Sequence, residues 1–301
     1  MTTRFTSYDG TELAYETLGQ GPPLLLVPGG PRASVYLENL GGLDATRTLI
    51  RYDARGTGES AVPRDPATYA YPSLADDVEA LRAELGEERI DLLAHSSGTV
   101  VALAYAAARP ERVARLVLVG PGPDLFGAGG EDIPDILAKR SDAPWFEEVS
   151  AAAGELVTLG PGADPERVFD VLSRYTPAGY GEWDERQREH AAAQLKGFSL
   201  TAWSGFWAAG TGPEAVLGRL SEVSGRVLVV TGERDGLTGV AVGDVAASYF
   251  PDARHITLGG AGHFPWVDQP ERFASAVEGF LTGGQPAEPP VGSNASTSVS
   301  G

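Results

Sequence analysis

Cysteine is absent from this 301-residue chain. The protein can therefore form no disulfide, use no thiol nucleophile and ligate no zinc through sulfur. Long hydrophobic runs are missing too. None reaches the roughly 18 apolar residues of a membrane span, and Met1-Thr2-Thr3-Arg4 lacks the apolar stretch of a secretion signal. The expectation is a cytoplasmic protein with no membrane partner. Positive charge is scarce: 23 Lys and Arg stand against 41 Asp and Glu, a net charge of −18. Such a balance offers little to a phosphate backbone, so nucleic acid is not expected as a partner. Phosphate-cradling and metal-ligand spacings are also missing, and neither a metal nor an organic cofactor is expected.

What the chain does have is Leu92-Leu93-Ala94-His95-Ser96-Ser97-Gly98, an apolar strand running into a small-His-Ser-x-Gly turn and then into the helix-like run Thr99–Ala108. This reads as a nucleophile elbow. A serine on so sharp a strand-to-helix turn sits at strained backbone angles, and the residues two positions either side must be small. Ala94 and Gly98 meet that need, so Ser96 is the candidate nucleophile.

The other parts of a serine-based site follow in chain order. Val227-Leu228-Val229-Val230 ends in Thr231-Gly232-Glu233-Arg234-Asp235, which places a carboxylate in the turn after a buried strand. Asp235 is the expected acid, with Glu233 as its competitor. Ile256-Thr257-Leu258 then gives way to a glycine-rich loop carrying His263, the expected base. The order Ser, Asp, His is that of α/β-hydrolases. Leu24-Leu25-Leu26-Val27 leads into Pro28-Gly29-Gly30-Pro31, where glycine lets backbone N–H groups approach a substrate closely. The Gly30 and Ser97 N–H groups are the expected oxyanion hole. His95, His190 and His255 read as packing or surface residues.

Asp9-Gly10 marks a two-residue hairpin between strands Arg4–Tyr8 and Thr11–Leu18, an antiparallel start. Strands are then expected at Pro23–Val27, Thr48–Tyr52, Ile90–Leu93 and Leu116–Val119, with a helix over Ser73–Leu85 capped by Ser73 and Asp76. After an interruption the alternation resumes with helix Pro213–Leu220, strand Arg226–Val230, helix Val240–Phe250, strand His255–Leu258 and helix Pro270–Leu281. Strand-helix repetition calls for a mostly parallel sheet with helices on both faces. The expected layout is an α/β core over 1–121 and 213–282, a helical cap over 122–212 inserted after the sixth core strand, and a disordered tail over 283–301. The cap segment holds four of the five tryptophans and 15 acidic against 7 basic residues. That composition fits a solvated acidic surface, or a preference for a cationic substrate.

Leu24 to Pro31, Tyr52-Asp53-Ala54-Arg55-Gly56-Thr57-Gly58-Glu59-Ser60, the Ser96 elbow with Ala104-Tyr105-Ala106, Pro110-Glu111-Arg112-Val113, Gly232-Glu233-Arg234-Asp235 and Gly262-His263-Phe264-Pro265-Trp266 together resemble capped α/β-hydrolases, most closely the proline iminopeptidase-like subgroup. The resemblance covers residues 5–121 and 213–282. It implies an α/β-hydrolase fold and aminopeptidase-like removal of an N-terminal aminoacyl group from a small-molecule or short aminoacyl substrate. In that subgroup, cap carboxylates hold the free amine, a role that would fall here on Glu182 and Asp184 around Trp183; a plain helix-surface role competes. The sequence departs from the subgroup at Pro28 and Arg32 on the oxyanion loop, and at Ala94, His95 and Ser97 on the elbow. Those changes put exopeptidase specificity in doubt. Asp53 and Arg55 are expected to brace the loops around the site through hydrogen bonds and an ion pair.

Amides, esters, lactones and thioesters all yield to Ser-His-Asp chemistry. A carboxylesterase, lactonase or thioesterase, a cofactor-free haloperoxidase or lyase, an acyl transferase, and a ligand-binding protein that keeps the triad all remain open from the sequence.

Overall fold

The central strands are near-continuous Leu, Val and Ile runs, as strands covered on both faces must be. In the computed structural model, which describes residues 2–159, 163–208 and 212–283, eight strands form one sheet. They are β1 Thr2–Thr6, β2 Glu12–Leu18, β3 Pro23–Val27, β4 Thr48–Tyr52, β5 Ile90–His95, β6 Val113–Val119, β7 Arg226–Gly232 and β8 Ala253–Leu258. Their order is β1-β2-β4-β3-β5-β6-β7-β8. Strands β1, β2 and β4 pair antiparallel, and every other pairing is parallel.

Side-chain alternation sorts each central strand between two apolar layers. Leu25, Val27, Leu92, Ala94, Leu116, Leu118, Val227 and Val229 face α1 (Tyr71–Glu84) and α2 (Gly98–Ala108). Leu24, Leu26, Leu93, Val117, Val119, Leu228 and Val230 face the opposite layer, which contains Trp266, Phe273, Val277 and Phe280. Between β6 and β7 come α3 Ile133–Ala138, α4 Phe146–Thr158, α5 Pro165–Tyr175, α6 Glu185–Lys196, α7 Leu200–Gly205 and α8 Pro213–Leu217; α9 Val242–Ala247, α10 Pro265–Asp268 and α11 Pro270–Leu281 follow β7. None of the described helices is long and apolar enough to cross a membrane.

The helical segment is sewn to the core by backbone hydrogen bonds. Arg32 and Phe198 form an antiparallel bridge, flanked by Ala33 N–H to Gly197 O and Ser199 N–H to Pro31 O, each 2.9 Å. Gly236 N–H donates to Ala178 O at 3.0 Å and His263 N–H to Gly179 O at 2.7 Å.

Several local expectations shift. The Asp9-Gly10 turn is not a two-residue hairpin: β1 stops at Thr6, and the connection closes through Ser7 N–H to Thr11 O at 2.9 Å. Asp9 is drawn away instead, accepting from Thr11 N–H at 3.0 Å and from Arg55 at 2.7 Å. Ser73 is not an N-cap. The helix starts at Tyr71 with Pro72 in its first turn, where proline loses no hydrogen bond, and Tyr71 N–H is already used by Phe206 O at 3.1 Å. The helices expected over 240–250 and 213–220 shorten to α9 and α8. Residues 284–301, nearly all of the expected tail, lie outside the described residues.

Candidate active site

Ser96 stands between β5 and α2 with φ +54°, one of three non-glycine residues in the left-handed region among those described. Its N–H donates to Val119 O at 2.9 Å, and its carbonyl accepts from Thr99 N–H at 2.9 Å, so strand and helix both hold the strained turn. The close packing explains the small neighbours. A Cβ on Gly98 would lie 2.5 Å from the Val27 and Pro28 carbonyl oxygens, and Ala94 is fully buried.

Asp235 and His263 meet although they leave different strands. His263 Nδ1 lies 2.8 Å from Asp235 Oδ2. Leu237 and Thr238 N–H donate to Oδ1 at 2.8 and 3.0 Å, and the Thr238 hydroxyl donates to Oδ2 at 2.8 Å. Burial alone would raise the pKa of Asp235. The His263 charge, with the hydrogen bonds from His263 and Thr238, outweighs it and holds the carboxylate below its ordinary range. An ionised Asp235 accepts the proton of Nδ1, which leaves Nε2 as the free ring nitrogen. Glu233, the competing acid, accepts instead from Gly260 N–H at 2.9 Å.

Sequence reasoning missed the role of His95. Its Nε2–H donates to His263 O at 2.9 Å, while its Nδ1 accepts from the Tyr36 hydroxyl at 3.0 Å. That hydroxyl in turn accepts from Gly29 N–H at 2.7 Å. One buried chain of polar groups thus joins the Gly29-Gly30 loop, the residue before Ser96 and the backbone of His263. Burial, followed by the nearby His263, pushes the pKa of His95 well down and keeps it neutral. No local pattern could show this, since its partners lie 59 and 168 residues away. His190 is likewise buried, donating from Nε2 to Tyr36 O and accepting from Tyr180 at Nδ1. His255 bonds Thr231 and Asp244.

Asp53 and Arg55 brace loops, but not each other. Asp53 accepts from Ser34 N–H at 2.7 Å and Glu59 N–H at 2.9 Å. Arg55 pairs with Asp77 and Asp9.

Ser96 and His263 line a cavity of about 110 Å³. Its apolar wall comes from Phe169, Leu172, Leu195, Phe198, Leu237 and Phe264, and its polar lining includes Arg32 and Gln194. No carboxylate is among the described residues lining it. Glu182 and Trp183 line a separate cleft of about 780 Å³ that includes neither Ser96 nor His263. There Glu182 pairs with Arg234 at 2.5 Å. Asp184 caps α6 by accepting from Arg186 N–H at 3.1 Å. The oxyanion loop also differs from expectation in one detail: Gly30 N–H donates to Ser97 Oγ at 2.5 Å, so the side chain of one expected donor occupies the other. Among the described residues, no group of three or more His, Asp or Glu could hold a metal ion.

A family model for the alpha/beta hydrolase fold matches residues 22–270. A proline iminopeptidase of Heyndrickxia coagulans is 29% identical over 284 residues, covering 89% of this chain and 93% of that protein. A pimeloyl-(acyl-carrier protein) methyl ester esterase of Aeromonas hydrophila is 26% identical over 279 residues, covering 89% and 99%. Among solved structures, an esterase from Rhodococcus sp. ECU1013 superposes with a TM-score of 0.73 at 25% identity, covering 93% of this chain and 98% of that one.

Proposed function

Because the chain belongs to the alpha/beta hydrolase fold family, we propose that it is a serine hydrolase that cleaves a small acyl ester through an acyl-enzyme. Ser96 attacks the acyl carbonyl, His263 Nε2 takes the serine proton and returns it to the leaving alcohol, and Asp235 orients the imidazole and supports its charge. Gly30 and Ser97 N–H groups hold the oxyanion once Gly30 turns from the Ser97 hydroxyl. Water then releases the acid by the same steps. The observation that carries this reading is the 2.8 Å contact between His263 Nδ1 and Asp235, which leaves Nε2 free beside the cavity shared with Ser96.

Residues 122–212 act as a cap on a core of 1–121 and 213–282, supplying apolar walls that exclude water from the reacting carbonyl. The cavity chemistry favours an ester over an aminoacyl amide. A free ammonium group needs a carboxylate partner, and Glu182 and Asp184 are engaged elsewhere while Arg32 supplies charge of the wrong sign. A lactone or thioester fits the same machinery.

Hydrolysis of short-chain p-nitrophenyl esters tests the reading, alongside aminoacyl p-nitroanilides with free and N-acetylated amines. Esters should turn over, and Ser96→Ala should lower kcat by about 10³-fold or more. Undiminished turnover in Ser96→Ala would remove Ser96 from the mechanism. Preference for the free aminoacyl anilide over its acetylated form and over esters would restore the aminopeptidase reading.

A further inference from the structure

Arg32 occupies an unusual place for a cation. It follows the oxyanion loop, and its backbone bridge to Phe198 fixes it at the junction of core and helical segment. Its Nε donates to Gly30 O at 3.0 Å, and its guanidinium lies 5.3 Å from the Tyr36 ring centre and 5.5 Å from that of Phe198. None of the described ion pairs involves it, although 19 described pairs engage 14 other arginines of this acidic chain. Guanidinium has five N–H donors in a planar fork, and the carbonyl of Gly30 uses one. Gln194 stands in the same cavity wall, and its buried Oε1 has no hydrogen-bond partner. Rotating the amide presents its NH₂ to the same space.

We propose that Arg32 is the specificity residue of this site, and that the substrate it selects carries a carboxylate a few atoms from the scissile carbonyl. The proposal rests on the ester-hydrolase reading above and deepens it. A planar carboxylate accepts two parallel N–H bonds from a guanidinium, a geometry lysine cannot match. Gln194 NH₂ offers a further donor. The volume sets the scale: about 110 Å³ is roughly four waters at about 30 Å³ each, enough for a carboxylate and a short carbon chain. Since the protein as a whole carries −18, long-range attraction cannot bring the anion in, and the preference must arise from contact at Arg32.

Three esters separate the possibilities: ethyl butyrate is neutral, monoethyl succinate carries the carboxylate on the acyl side, and O-butyrylglycolate carries it on the leaving-group side. The readout is the ratio of kcat/KM for a charged ester to that for ethyl butyrate, whatever the absolute rates. At least one charged ester should be favoured about tenfold or more, and Arg32→Gln should bring its ratio down by about 10- to 100-fold. Arg32→Lys, which keeps the charge, should retain part of the preference. Which charged ester responds identifies the side of the carbonyl that enters the cavity. A ratio near one in the unaltered protein, or a preference that survives Arg32→Gln, would overturn the proposal. Calorimetric binding of the same esters to Ser96→Ala, with and without Arg32→Gln, reads the preference without turnover. If the unaltered protein hydrolyses none of the three esters, the hydrolase reading fails while the binding ratio still decides the role of Arg32.

Discussion

In the proposed mechanism, two functions compete for one N–H group, that of Gly30. Gly30 N–H donates to Ser97 Oγ at 2.5 Å, and a net neutral hydrogen bond of this kind is worth about 0.5–1.5 kcal/mol. If that bond must break before the oxyanion can be held, Ser97→Ala should raise kcat on a good ester by about two- to tenfold. Steady-state kinetics of the variant checks this, and a fall in kcat would mean that the hydroxyl positions the loop. Ser96, Asp235 and His263 stand out in the sequence as candidates, because each lies in a local pattern after a strand. Arg32 was legible only as a departure from the iminopeptidase loop. Its meaning depends on Phe198, Tyr36 and Gln194, which no spacing rule connects. The same holds for Glu182 and Asp184: their acidity is visible in the chain, but their engagement by Arg234 and by the first turn of α6 is not.

At the scale of elements, the apolar strands of the sheet centre are plain in the sequence, but their bounds are not: β6 begins at Val113, three residues before the expected Leu116. Leu24–Val27 of β3 and Val227–Val230 of β7 announce themselves as unbroken apolar runs, because both faces of these strands are buried. The first hairpin and the start of α1 depart from their local signals because tertiary partners overrule them, Arg55 taking Asp9 and Phe206 taking the Tyr71 N–H. Arg55 shows how strong such partners are. Its side chain and that of Asp77 are both fully buried, with Nε 2.8 Å from Oδ2. Arg55→Met would leave an uncompensated carboxylate beneath β1 and α1, at a cost of about 3–5 kcal/mol. Urea unfolding should register that loss. Combining Arg55→Met with Asp77→Leu should recover most of it, since the buried charge then disappears from both sides.

Across the whole molecule, acid should act first where helical segment and core meet. His190 lies on α6 and is wedged between Tyr180 and Tyr36 of the core. Burial is the main cause that lowers its pKa to about 4, against about 6.5 in an unfolded chain. A depressed folded pKa gives a contribution that is fully present above about 6.5 and is lost as pH falls towards 4. The shift corresponds to about 3 kcal/mol. The free energy of unfolding should therefore drop by at least that amount between pH 7 and pH 4, and His190→Gln should remove about 3 kcal/mol of the drop. An unchanged pH slope in that variant would place the sensitivity elsewhere.

The bridge between Arg32 and Phe198 reaches beyond its two hydrogen bonds. It fastens the proposed oxyanion loop to the strip of chain from Gly197 to Ser199, whose Phe198 lines the cavity. Lifting residues 197–199 must therefore tug on Pro31 to Ala33 and disturb Gly30, so access and reactivity are not independent settings.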